Sequence, residues 1–342
     1  MRLRQIIGFL TVLVISFVTA AHAAFPGKNG RIAFISGRDI YTMNADGSDM
    51  KQLTNLGPDS AAYWESWSPD GKQIVFVEFN PPDFIEQLWL MNADGSNQHL
   101  LLAEDNYNNE RPSFSPDGRS ILFSRCTLDF EPCALYVIEV DGGTLKEVTD
   151  FQLGIRDVSA EYSPDGKSIA FTSTDREGIM CAIYLQSAVQ KEPFELTPPA
   201  LTARQSDWSP DGKKLAFSSH CDSGSNPQNQ EIWVVDRGGS DLHRLTYNGQ
   251  QYFAGPHDFF PSWSPEGDAL VFERDAPDFS SSAIYVMNAD GTRSGERLVL
   301  KRSLSSAADS RRMQALRHST KNRHLREIEE GGALPRWGVA AN

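Results

Sequence analysis

The chain is 342 residues long and carries 32 Lys/Arg against 45 Asp/Glu, a formal charge of −13 at pH 7. An acidic excess of this size argues against nucleic acid and anionic lipid surfaces as partners, since both would repel it. From Lys301 onward nine Lys/Arg face four Asp/Glu, so the body ahead of that tail is more acidic than the whole chain.

At the N-terminus, Arg2 and Arg4 precede an apolar run from Ile6 to Val18, and Ala21-His22-Ala23 supplies a small-x-small cleavage site. That is the pattern of a secretory signal peptide over residues 1–23. The run is shorter than the roughly 20 residues of a spanning helix, and no later stretch is apolar enough to cross a bilayer. The expectation is an exported chain, periplasmic or extracellular, monomeric and without a transmembrane segment once mature.

From Phe25 onward one short pattern recurs six times: an Ile/Leu-x-Phe, an aliphatic–aromatic pair, then an Asx-Gly turn. The phenylalanines are Phe34, Phe76, Phe123, Phe171, Phe217 and Phe272; the aromatic partners are Tyr41, Trp89, Tyr136, Tyr184, Trp233 and Tyr285. Neighbours within each set lie 42 to 55 residues apart. A period of that size built from short β-like runs predicts an all-β, six-bladed propeller with four antiparallel strands per blade.

Each copy reads strand by strand. An aromatic ends the first strand and Ser-Pro-Asp/Glu-Gly follows, as at Trp67–Gly71, Phe114–Gly118, Tyr162–Gly166, Trp208–Gly212 and Trp263–Gly267. Proline, Asp and Gly suit the successive positions of a type I turn. The second strand carries the phenylalanine and the third its aromatic partner. Asn-Ala-Asp-Gly at 44–47, 92–95 and 288–291 is hairpin-turn chemistry, and a fourth strand ends in Leu/Val-Thr, as at Leu53-Thr54. The first copy lacks its opening strand, while Leu334-Pro335-Arg336-Trp337-Gly338 matches that strand elsewhere. The expected propeller therefore covers 24–300 plus 333–339, with blade one closed by a C-terminal strand near Trp337. Residues 303–332 fall outside the repeat and read as a basic insertion. All tryptophans except Trp64 occupy repeat slots, where packing accounts for them.

Four cysteines in an exported chain favour disulfides. Cys126 and Cys133 flank one hairpin loop, and Cys181 and Cys221 end strands on the same face of adjacent blades. There is no Cys-x-x-Cys for a metal. No G-x-S-x-G elbow, H-E-x-x-H or Gly-rich phosphate loop occurs, and neither a cofactor nor a catalytic residue is expected. The nearest metal-ligand set is His220, Asp222, His257 and Asp258, two His and two Asp in loops on one face.

The repeated aromatic-Ser-Pro-Asp-Gly and Tyr-x-Met-Asn-Ala-Asp-Gly runs resemble the TolB-type propeller repeat, a distant cousin of the WD-type repeat, over residues 25–300 and the strand near Trp337. The resemblance implies a periplasmic or secreted six-bladed propeller whose channel mouth binds protein or peptide partners. TolB proper carries an α/β domain ahead of its propeller, whereas here the repeats begin directly after the leader. Related propellers precede the hydrolase domain of prolyl-oligopeptidase-like enzymes, and some are metal-assisted polysaccharide lyases that use histidine clusters. The alternative to a non-enzymatic binding module is therefore a metal-dependent carbohydrate-active enzyme at the same face.

Four residues before the first-strand aromatic, each copy places a different side chain: Tyr63, Glu110, Val158, Arg204 and Phe259. Adjoining positions add Trp64, Arg111, Asp157, Gln205 and Asp258. Variation at one slot of an otherwise uniform repeat, mixing aromatics with both charge signs, is what a recognition mouth requires.

Overall fold

The computed structural model describes residues 25–340 apart from 58, 81–84, 130–131, 152–154, 175–180, 188–191, 220–229, 249–254, 278, 280, 293–295 and 299–334. The expected signal peptide over 1–23 and insertion over 303–332, and His220, Cys221 and Asp222, lie outside the described residues. Within them the chain forms six four-stranded antiparallel sheets. Blade two is typical, running Ala61–Trp67, Gln73–Asn80, Ile85–Asn92 and His99–Leu102 from inside to outside. Blade one begins instead with Arg336–Val339, which pairs with Asn29–Ser36 in the register Ile32↔Trp337 and Ala33↔Arg336. The C-terminal strand thus closes the ring, as the truncated first repeat predicts.

The repeated motifs each have a physical job. In the Ser-Pro-Asp-Gly turn, Gly71 N–H donates to the Ser68 carbonyl at 2.9 Å and adopts φ +67°. The Ser68 hydroxyl donates to Asp70 Oδ1 at 2.7 Å and accepts from Gln73 N–H at 2.9 Å. Gly95 is required twice over: its φ is +86°, and a Cβ there would meet the Leu53 carbonyl oxygen at 2.7 Å. In blades one, three, four and five a threonine just past the fourth strand turns back inward. Thr54, Thr149, Thr197 and Thr246 Oγ1 accept the N–H of Ile40, Leu135, Ile183 and Ile232 at 2.9–3.0 Å. These bonds satisfy donors where the edge strand stops.

Every repeat phenylalanine faces its aromatic partner across the strand pair, from Phe34↔Tyr41 to Phe272↔Tyr285. The rings of Phe76 and Trp89 stack at 6.5 Å, and those of Phe34 and Tyr41 at 5.8 Å. The core is a series of interblade layers, since both faces of each sheet are covered by neighbours. The layer that seals the ring packs Ile32, Phe34 and Met43 of blade one against Val271 and Ile284 of blade six, with Trp337 between them.

Cys126 and Cys133 are register partners and form a disulfide, with Cα atoms 4.1 Å apart. It is buried against Val158 of the next blade. Cys181 is also disulfide-bonded, while its expected partner Cys221 lies outside the described residues. The Cys126–Cys133 loop is short, so reduction or paired Ser substitution is expected to cost about 2 kcal/mol. Thermal melts of oxidised and paired-Ser protein measure this directly; superimposable curves would contradict it.

Candidate binding site in the central channel

The inner strands do not alternate evenly. In blade two, Tyr63 pairs with Val77 and Ser66 with Val75, so Trp64 and Glu65 together oppose Phe76. Blades three to six repeat this bulge opposite Phe123, Phe171, Phe217 and Phe272. The first residue of each bulge is left-handed: Trp64, Arg111, Ser159, Gln205 and Phe260 have φ between +49° and +57°. None is glycine, and each carries about 1 kcal/mol or more of backbone strain. The bulge turns these five side chains toward the axis.

They line a cavity of about 430 Å³ at the middle of the inner strands, together with Glu65 and Arg336. Of the residues singled out at the sequence level, the cavity takes Trp64, Arg111 and Gln205. The others stand outside its lining. Glu110 is wholly buried, with Oε1 3.2 Å from Arg156 Nη2 and Oε2 3.6 Å from Arg111 Nε. Asp157 is buried and accepts the Ser173 hydroxyl at 2.6 Å. Asp258 is wholly buried and takes Arg274 Nε and Nη2 at 2.6 and 2.7 Å. Phe259 and Val158 are buried among apolar neighbours, Tyr63 lies against Trp64 with ring centroids 6.0 Å apart, and Arg204 pairs in register with Ser218. The Arg111 guanidinium sits 4.7 Å above the Trp64 ring. The outer part of the channel thus presents two aromatics, one held cation and two small polar side chains.

Deeper in, the residue immediately before each first-strand aromatic forms a ring of Arg336, Ser66, Ser113, Glu161, Asp207 and Ser262. Arg336 belongs to blade one and Glu161 to blade four, diametrically across a six-membered ring, yet Nη1 reaches Glu161 Oε1 at 2.6 Å and Asp207 Oδ1 at 3.6 Å. Asp207 also accepts Trp263 N–H at 2.6 Å. Burial, and then Glu161 with which it shares a hydrogen bond, drives the Asp207 carboxyl well above the usual range; Arg336 opposes this. The two acids bound a waist bridged by one arginine, and Phe25 lines the cavity on its far side.

Glu65 is 1% exposed, and neither carboxylate oxygen accepts a hydrogen bond from another residue. Burial pushes its carboxyl up to about 8, against the weaker pull of Arg336. Folding therefore holds a proton that the unfolded chain releases near pH 4.5, and stability is lost as pH rises from there toward 8. Glu65→Gln is expected to melt progressively higher than the parent from pH 5 to pH 9, by an equivalent of roughly 2–4 kcal/mol at the alkaline end. Parallel melting curves across that range would contradict the assignment.

His257 and Asp258 do not face each other across an open site. His257 is wholly buried, with Nδ1 accepting Gln230 N–H at 3.3 Å and its ring 4.6 Å from Phe279. Among the described residues, the one close grouping of ligand-type side chains is Glu110, Cys126 and Cys133, and both of its sulfurs are spent in the disulfide. No helix of the described residues is long and apolar enough to cross a membrane.

Residues 66–294 match the family model of the TolB beta propeller domain. An uncharacterized protein of Agrobacterium fabrum is 29% identical over 115 residues, 34% of this chain and 36% of that protein. The match thus spans about a third of that relative. Among solved structures, a putative TolB from Agrobacterium tumefaciens superposes with a TM-score of 0.62 at 23% identity, covering 79% of this chain and 88% of that one. TolB from Acinetobacter baumannii gives 0.61 at 24%, covering 82% and 67%. An oligogalacturonate lyase from Vibrio parahaemolyticus gives 0.54 at 14%, covering 75% and 74%. At these identities the solved structures speak for the fold.

Proposed function

Because this chain belongs to the TolB beta propeller domain family, we propose that it is an exported, non-enzymatic binding protein whose channel mouth receives a protein or peptide segment. The observation that carries this reading is the bulge. At five equivalent positions a strained backbone turns a non-glycine side chain into one cavity, and the five side chains all differ. Strain retained at equivalent points of a repeat, with variable chemistry on display, supports a recognition role for these positions. Trp64 and Phe260 supply apolar area; Gln205, Ser159 and Arg111 supply polar selection. The Arg/Ala leader pattern at residues 1–23 supports export to the periplasm or medium, and the acidic body disfavours nucleic acid.

The test is affinity capture from the envelope and medium of the producing cell, with crosslinking before washing. Trp64→Ala combined with Phe260→Ala is expected to lose at least tenfold of the captured partner while retaining a cooperative melt. Undiminished capture by that folded double variant would place recognition elsewhere.

A further inference from the structure

Resting on the channel-mouth reading, we infer that the segment entering the cavity presents a lysine side-chain ammonium to Glu65. Glu65 lines the same cavity as Trp64 and Phe260. It is almost fully buried, and its two oxygens accept no hydrogen bond from another residue. A buried carboxylate in that condition is costly to ionise and is relieved by an incoming cation.

The other charges facing the cavity are already engaged. Arg336 is drawn to Glu161 and Asp207 across the waist, and Arg111 lies between Glu110 and the Trp64 ring. Neither guanidinium donates a hydrogen bond to Glu65. The aromatic walls suit a cation as well, since an ammonium is attracted to ring faces. The acidic body of the chain adds long-range attraction for a basic partner. An acidic segment would instead have to displace Glu110 from Arg111 or the waist acids from Arg336.

Binding an amine favours the charged form of Glu65. Docking near neutral pH should therefore release a proton from that carboxyl, which sits at about 8 in the free protein.

The probe is trilysine amide, compared with its Nε-acetylated form and with triglutamate, by titration calorimetry at pH 7 in two buffers of different ionisation enthalpy. Trilysine should bind the parent protein at least tenfold more tightly than either comparison peptide, with proton release. Glu65→Gln should lose about tenfold of that affinity and the proton release together, while remaining folded. Trilysine binding that is equal in parent and Glu65→Gln overturns the inference, as does preferential binding of triglutamate or of the acetylated peptide. Binding absent at millimolar peptide overturns it too. Failure of the underlying reading looks different: trilysine binding that depends on Glu65 is refuted as mouth binding if the Trp64→Ala, Phe260→Ala variant leaves it unchanged. Loss in that variant with retention in Glu65→Gln keeps the mouth and removes the charge assignment.

Discussion

Deleting residues 335–342 is expected to abolish the soluble monomer or lower its melting temperature by well over 10 °C. Three losses coincide in that strand. The Asn29–Ser36 edge, with Ile32, Ala33 and Phe34 fully buried, would face the channel unpaired, a template for intermolecular pairing. Trp337 would leave the layer joining blade one to blade six, a loss of about 3–5 kcal/mol for a buried aromatic on its own. Arg336 would leave the buried Asp207 and the half-buried Glu161 without their cation. A milder probe is Gly338→Ala, whose added Cβ would meet the Trp67 ring at 2.6 Å. It should destabilise by about 1–3 kcal/mol through overpacking. Trimming that left the melt unchanged would mean that the ring is held shut by something other than this strand.

The second large effect belongs to Arg336 itself. Arg336→Met keeps the volume of the side chain and removes the charge that spans from blade one to Glu161 and Asp207. The Arg336 side chain is 32% exposed while Asp207 is buried, so removing the cation strands one buried carboxyl and one half-buried one, at about 1–3 kcal/mol. The penalty should be largest at alkaline pH and shrink as pH falls toward 5. Protonation neutralises the stranded carboxyls, and Asp207 already sits well above the usual range. Adding Glu161→Gln and Asp207→Asn should restore most of the loss at pH 8. Thermal or denaturant unfolding across pH measures both. A pH-independent loss, or no recovery in the triple variant, would show that Arg336 acts through packing alone.

Much of the fold was legible in the residues because the repeat demands the same chemistry six times. Phe76 and Trp89, or Phe272 and Tyr285, recur at fixed spacing because each sheet must fill the same gap to its neighbour. Trp337-Gly338 was recognisable as a displaced first strand for the same reason. The site was less legible. Counting four residues back from each aromatic assumes unbroken alternation, and it selects Tyr63, Glu110, Val158, Arg204 and Phe259. The bulge adds one residue to the inner strands of blades two to six, so the cavity receives Trp64, Arg111 and Gln205 from the adjoining positions together with Ser159 and Phe260, which the count does not reach. No glycine or asparagine marks those left-handed positions, so local sequence carries no sign of them. The waist does leave a signal in the sequence. The residue before the aromatic is serine in blades two, three and six but Glu161, Asp207 and Arg336 in the others. Charge at a slot that otherwise holds a small hydroxyl betrays a shared space, although only the ring geometry reveals that blades one and four meet across it.

The most direct measurement of recognition at the mouth is site-specific photocrosslinking in the producing cell. A benzophenone side chain replaces Phe260 in the cavity or, as a matched control, Phe194, which is 53% exposed on an outer strand. A discrete crosslinked species from position 260, absent from position 194 and lost when Trp64 is changed to Ala, is the predicted result. Adducts from position 194 with none from position 260 would contradict it, placing recognition on the outer surface of the ring.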